Sequence, residues 1–323
     1  MKALIYQGPE TLVYADAADP VPAGGEELIA IESVGVCGSD MHAYLGHDDR
    51  RPAPLILGHE VAGRTVTDGR RVTINPLVTC GQCDYCIRGR DNLCPSRQII
   101  SMPPREGGFA EHVALPARNL VDLPDTITSD QAALAEPIAC GWHAVRLACA
   151  PDRQGKTALV IGGGAIGVGA ALCLAAQGFD TVRLSEPNTV RRRYLERSGG
   201  FAAFHPDDLP AGEMYDIVVD AVGIEPTRAQ SSAWVAPGGT IVHIGLGSAA
   251  GGLDVRRMTL QEITFIGTYT YTAQDFRDTA QAMFDGRLGA LDWIEMRPLS
   301  DGARAFADIR AGLVPAPKII LKP

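Results

Sequence analysis

The sequence has no excess of basic residues. Its 29 Lys and Arg stand against 38 Asp and Glu, a formal net charge of −9 in 323 residues, so nucleic-acid backbones and anionic membranes are repelled rather than gathered. Neither is expected as a partner. The opening MKALIYQGPE has one lysine and only a short apolar run, without the features of a secretory leader, and the chain is expected in the cytoplasm. Internal repeats and low-complexity linkers are also missing. What remains is 46% apolar and 21% charged, rich in turn formers with 36 Gly and 22 Pro, and at roughly 150 residues per domain long enough for two cores. One stretch, 158–176, is free of charge for long enough to imitate a membrane helix. Its glycines at 162, 163, 164, 167 and 169 suit a strand, a tight turn and a helix instead.

Before residue 140, short strand-like runs (Lys2 to Tyr6, Glu27 to Val34, Arg71 to Ile74, Glu111 to Leu115) alternate with Pro and Gly. They predict an antiparallel, loop-rich, barrel-like domain. From about Thr157 to Thr268, buried runs such as ALVIG, TVRLSE, DIVVDAVG and TIVHIG alternate with helical stretches, the pattern of an α/β doubly wound parallel sheet. A helix is predicted over 273–286, an amphipathic stretch over 301–311 and a strand over 318–322. That tail either extends the parallel sheet or returns to the first domain.

The run Val160-Ile-Gly162-Gly-Gly164-Ala165-Ile166-Gly167 fits a dinucleotide turn. The first glycine makes the turn, the second admits the pyrophosphate and the third lets helix and strand touch, with the pyrophosphate on the helix N-terminus from about Ala165. Glu186 follows Gly167 by nineteen residues at the end of the next apolar run, placed to accept from the adenosine ribose hydroxyls. Arg191, Arg192 and Arg193 raise the competing possibility of a 2′-phosphate, which the charge of Glu186 opposes. NAD is therefore expected rather than NADP.

The eight cysteines are unevenly placed. Cys80, Cys83, Cys86 and Cys94 lie within fifteen residues, with gaps of two, two and seven. Four thiolates so placed can close a tetrahedron around a structural zinc with no open position. An iron–sulfur cluster and a disulfide compete, but the bacterial cluster motif ends on a gap of three. A second set is dispersed: Cys37, Ser39, Asp40 and His42, then His59 and Glu60, then Glu136. Cysteine, histidine and carboxylate from three places can bind a catalytic zinc and leave one position for water or substrate.

These motifs, GVCGSDMH, PLILGHE, the four-cysteine loop, GGFAEHV, EPIACGWHAV, VIGGGAIG, YDIVVDAVG, PGGTIVHIGL and EITFIGTYTY, run over nearly the whole chain. In this order the sequence resembles the zinc-dependent medium-chain alcohol dehydrogenases, on the sorbitol and threonine dehydrogenase branch. The resemblance implies a GroES-like catalytic domain over 1–140, a Rossmann NAD-binding domain over 141–275, and a segment 276–323 that returns to the catalytic domain. It implies Cys37 and His59 as catalytic zinc ligands, Glu136 as the third ligand or the partner of a bound water, and Glu60 as a ligand that swaps with water. Ser39 and His42 match the family's proton relay, Glu186 and Arg191 its adenosine-ribose pair, and Gly245, Leu246, Thr268 and Tyr269 its nicotinamide lining. Relatives carry a longer hairpin where this chain has only Arg64 to Asp68, and more often Asp where it has Glu186.

One thiolate and two carboxylates carry more negative charge than a divalent ion cancels, so Glu60 and Glu136 are expected to alternate as ligands, or one to act through water. The expected reaction is oxidation of a secondary alcohol or polyol to a ketone by hydride transfer, in a homodimer or homotetramer. His47, Asp48 and Arg50 are candidates for the entrance. A zinc-free enone or quinone reductase and a non-catalytic NAD-binding redox sensor are the alternatives.

Overall fold

The N-terminal strand Lys2–Gly8 turns Ala3, Leu4 and Tyr6 inward and pairs antiparallel with Thr11–Asp16 and Leu55–Ile56. The structure is a computed structural model and describes residues 1–149, 157–198, 202–209 and 212–323. A larger sheet runs in the order Leu120–Asp122, Arg71–Ile74, Glu60–Thr65, Glu26–Gly35, Lys318–Lys322 and Ile294–Pro298, with His112–Pro116 also pairing Glu26–Gly35. The short connection after Thr65 is a tight turn, closed by Thr65 Oγ1 donating to Asp68 and by Arg70 gripping Asp68, Asp122 and Glu27. The tail returns to this sheet: Ile320 and Leu321 oppose Gly35 and Val34. Phe306, on the helix Gly302–Arg310, packs against Tyr44 and Phe109 with ring centroids 5.2 and 5.8 Å away, each pair adding about 1 kcal/mol to the burial itself.

The second sheet is wholly parallel. Its order is Ala203–Phe204, Thr181–Ser185, Thr157–Ile161, Tyr215–Asp220, Val235–His243 and Thr264–Gly267. Strand order reverses at Thr157–Ile161, and ligands of such sheets bind in the crevice beyond the strand ends at that point. The charge-free stretch resolves into that strand, a turn and the helix Ala165–Ala176, which is buried against the helix Ala135–Ala148. None of the described helices is long and apolar enough to cross a membrane.

Helix Ala135–Ala148 is fixed from its other side. Asp275, capped by Thr272 at the start of the helix Ala273–Phe284, accepts from His143 Nδ1 at 2.8 Å and Arg146 Nε at 2.6 Å. Burial, the largest single influence, pushes its carboxyl up, but the bonds from His143, Arg146 and Thr272 prevail and hold it well below the ordinary carboxylate range. The result is a rigid mount for Glu136, the second residue of that helix.

Candidate functional site

The cysteine loop brings Cys80, Cys83, Cys86 and Cys94 together with all four sulfurs within 4.8 Å of one another. Individual separations are 3.5 Å for Cys83 and Cys86, 3.5 Å for Cys94 and Cys80, and 3.9 Å for Cys80 and Cys86. Zinc–sulfur bonds of about 2.3 Å at tetrahedral angles put sulfurs about 3.8 Å apart, so the loop fits that ion. The spacing is too long for a disulfide and too short to surround several irons. Backbone amides of Gln82 and Cys83 hold the Cys80 thiol down at about 6, while burial and the bond to Cys83 push Cys86 up to about 12. Thiols this close do not all ionise without a cation among them.

The dispersed set converges in part. Donor atoms of Cys37, His59 and Glu60 all lie within 4.8 Å of one another. Cys37 is the N-cap of the helix Gly38–Tyr44, its amide donating to Asp40 Oδ2 at 3.0 Å. Asp40 is fully buried; its Oδ1 accepts from the Gly58 amide at 3.2 Å and stands 3.5 Å from His59 Nδ1. Glu60 opposes Gly35 in the sheet, and a Cβ on Gly35 would sit 1.9 Å from Glu60 Oε2. Only glycine leaves that carboxylate its place. Lys318 donates to both Glu60 oxygens at 2.6 Å and to Val36 O at 2.9 Å, with its side chain 3% exposed. Burial opposes the charge of His59, but Asp40 and Cys37 outweigh it and hold its pKa well above the ordinary value. The pocket is built for positive charge, and a Cys, His and carboxylate set suits zinc with one position open.

Glu136 stands outside this trio. It is buried and close enough for His59 and Glu60 to act on it electrostatically, but its Oε1 accepts from the Tyr271 hydroxyl at 2.7 Å. Burial pushes its carboxyl up. Ser39 and His42 lie three residues apart on the helix Gly38–Tyr44, so they share a face, and the buried Arg51 fixes that helix by donating to Ser39 O at 2.7 Å and Ser101 O at 3.0 Å. Of the entrance candidates, Asp48 is bound to Arg50 and Arg51.

One cavity joins Cys37 and Glu60 of the trio to the glycine turn. Its walls include Cys37, Glu60 and Lys318 on one side and Gly164, Ala165, Ile166, Gly167 and Arg191 on the other. Gly162 has φ +105°, and a Cβ on Gly167 would lie 1.8 Å from Gly162 O, so the turn demands both glycines. Glu186 is buried at the end of Thr181–Ser185, accepting from Gly163 N at 2.9 Å and Asn188 N at 2.7 Å. Arg191 donates to Val314 O at 3.3 Å, Arg192 holds Glu186 O and Pro187 O, and Arg193 is exposed. Gly245, Leu246, Thr268 and Tyr269 are not among the walls of this cavity. They follow Val235–His243 and Thr264–Gly267 further along the sheet, with Leu246 74% exposed. Tyr269 is gripped from the cysteine loop, where Asn92 Nδ2 donates to its carbonyl at 2.8 Å and the Arg97 guanidinium lies 4.9 Å from its ring centre.

Sequence reasoning missed Lys318, Tyr271 and Arg51, and gave Asp40 no role. A lysine entering the apolar run KIIL was the available signal for the first; the others act through contacts that no local pattern announces.

Residues 23–125 match the family model of the alcohol dehydrogenase GroES-like domain, and residues 165–285 that of zinc-binding dehydrogenase. L-galactonate-5-dehydrogenase of Escherichia coli (strain K12) is 33% identical over 309 residues, spanning 90% of this chain and 89% of that protein. A zinc-binding dehydrogenase from Sinorhizobium meliloti 1021, solved bound to NADP, superposes with a TM-score of 0.86 at 27% identity over 100% of this chain and 99% of the other. A short chain alcohol dehydrogenase from E. coli CFT073, complexed with NADH, gives 0.89 at 22% identity with the same coverage and shares the fold.

Proposed function

The chain belongs to the zinc-binding alcohol dehydrogenase family, and from that premise we propose that it oxidises a secondary alcohol or polyol to a ketone with transfer of a hydride to NAD. One observation carries the reading: Cys37 and Glu60, two of the three clustered donors, line the same cavity as the glycine turn. The relative named for L-galactonate acts at a secondary carbinol of a polyhydroxy acid, and this chain's substrate is placed in the same broad class of polyols and their acids.

Cys37, His59 and Glu60 would hold the catalytic zinc, and Cys80, Cys83, Cys86 and Cys94 the structural one. When bound, the zinc would supply Lewis acidity, which brings the pKa of a bound water from about 15.7 to about 7 in favourable sites and acts in the same direction on an alcohol, and the nicotinamide would supply the hydride acceptor. Asp40 orients His59 through Nδ1. Ser39 takes the proton leaving the carbinol and His42, on the same face of the helix, hands it to solvent. Glu186, fixed by two backbone amides, faces the adenosine ribose and favours NAD. Arg191, on the cavity wall, lies beside it.

The charge balance departs from that expected on sequence. Cys37, Glu60 and Glu136 contribute three negative charges, but Lys318 adds one positive charge that a count of ligands overlooks. With a divalent ion these four groups sum to zero, so the charge argument for alternation lapses. Glu60 is then the ligand and Glu136 the carboxylate beside it.

The division into 1–140, 141–275 and 276–323 is part of the proposal, supported by the pairing of Lys318–Lys322 with Glu26–Gly35. So are a homodimer or homotetramer, supported by the exposed Phe265 on the last strand of the parallel sheet, and a cytoplasmic location, supported by eight free thiols. The test is metal content per chain with NADH formation over polyols, aldonates, amino alcohols and short diols. Two zincs and turnover with at least one of them are expected. One zinc, bound at the cysteine loop, and no turnover with any would instead favour the non-catalytic sensor.

A further inference from the structure

We infer that Tyr271 is a positioning residue for this oxidation, holding Glu136 as the fixed acceptor beside the Cys37, His59 and Glu60 donors. The inference rests on the reaction proposed above. The Tyr271 hydroxyl donates to Glu136 Oε1 at 2.7 Å, and the two residues are 1% and 5% exposed. With Oε1 committed to Tyr271, Oε2 is the oxygen left to accept elsewhere. The two carboxylates of the centre thus have partners of different kind. Glu60 is bound by a cation, Lys318, which cancels its charge; Glu136 is bound by a neutral phenol, which directs its charge without cancelling it. Only the second keeps its charge for accepting a strong hydrogen bond, from a further substrate hydroxyl or a water, while the carbinol's proton goes to Ser39.

The chain around Tyr271 is arranged at some cost to itself. Thr270 has φ +46°, a left-handed conformation that a β-branched residue rarely adopts, and its Oγ1 is shut from solvent with no hydrogen-bond partner among the described residues. Immediately after, Thr272 caps the helix Ala273–Phe284, and the Tyr271 ring packs on Phe276 of that helix with centroids 5.6 Å apart. Backbone and ring are both fixed, so the hydroxyl has one place to point. Tyr271 also follows Thr264–Gly267 at the carboxyl end of a parallel strand, the edge of the sheet on which ligands of such folds bind.

The experiment compares Tyr271→Phe, Glu136→Gln and the double variant as zinc-loaded enzymes, and as proteins with cobalt(II) in the catalytic position for visible absorption. Tyr271→Phe should lower kcat about tenfold with NAD binding and metal content unchanged. Its cobalt bands should shift in the direction that Glu136→Gln shifts them. In the Glu136→Gln background the substitution should lose nothing further, because its effect passes through that carboxylate. Tyr271→His, which restores an N–H donor, should recover part of the loss and carries the same test if Tyr271→Phe does not fold. Equal losses from Tyr271→Phe in both backgrounds, or cobalt bands indifferent to it, overturn the inference. If the parent enzyme oxidises no alcohol, the proposed reaction falls, and the cobalt spectra still decide whether Tyr271 positions Glu136.

Discussion

The two donor clusters are built in opposite ways. The cysteine loop takes its four ligands from fifteen consecutive residues, three of them partly exposed, and needs little beyond its own turns. The centre at Cys37, His59 and Glu60 takes its ligands from a helix cap and the start of a strand. It surrounds them with Gly35, Asp40 and Arg51 from neighbouring segments and with Lys318, which arrives from the far end of the chain. A cluster that is local in sequence can be complete and closed. One assembled by the whole fold can be left open and tuned, as chemistry requires.

The sharpest way to break this contrast is Cys37→Ala. It should remove one metal of two and lower kcat/KM by about 10³ or more, about 4 kcal/mol of transition-state stabilisation. NAD binding and the metal at the cysteine loop should survive, as read by metal analysis and cofactor titration. Loss of both metals together would mean that the clusters are not independent.

Next in size is Lys318→Met. It leaves Glu60 charged and buried without its cation, and metal-free protein should lose about 3 kcal/mol of stability, since breaking one side of a buried pair strands the other charge. The same change makes the donor set more negative, so zinc should bind more tightly and restore part of the loss. Denaturant unfolding with and without a chelator reads both signs. Equal destabilisation in the two conditions would show that Lys318 does not balance the metal.

Legibility followed the same line. The cysteine loop, the glycine turn, Glu186 and the final strand could be read because each is written in neighbouring residues. The strand Arg71–Ile74 and the strand Lys318–Lys322 have the bounds their sequence predicted. Cys37, His59 and Glu60 could be grouped by residue type as a possible zinc set, but their roles as ligands came from the resemblance, since nothing within Gly35 to His42 predicts what Gly58 to Glu60 will meet. Lys318 and Tyr271 escaped because their partners lie 258 and 135 residues away. The expectation that Glu60 and Glu136 alternate, or that one acts through water, counts ligand charges alone; Lys318, brought in by the return of the tail, is a charge outside that count.

A smaller effect tests the mount of Glu136. Asp275→Asn should cost about 2 kcal/mol at neutral pH by weakening the bonds from His143 and Arg146. The folded-state pKa of Asp275 is depressed. Its contribution is therefore fully present above the ordinary carboxylate value and lost as pH falls below about 4. Urea midpoints should fall more steeply with acid in the parent than in the variant. A parallel decline would place the acid sensitivity elsewhere.

The smallest effect probes whether the clusters communicate. Asn92, in the cysteine loop, donates to Tyr269 O, and Asp91 accepts from Ala273 N at 3.1 Å, so the loop braces the segment that carries Tyr271. Asn92→Ala removes one buried hydrogen bond, about 1 kcal/mol, and touches no metal ligand. It should leave both metals in place and lower kcat a few-fold, with the loss absent in a Tyr271→Phe background. If kcat instead falls in step with metal lost from the loop, the brace is only a consequence of the loop's folding. If it falls with both metals retained, the local cluster contributes to the chemistry of the dispersed one by holding the backbone from which its acceptor is aimed.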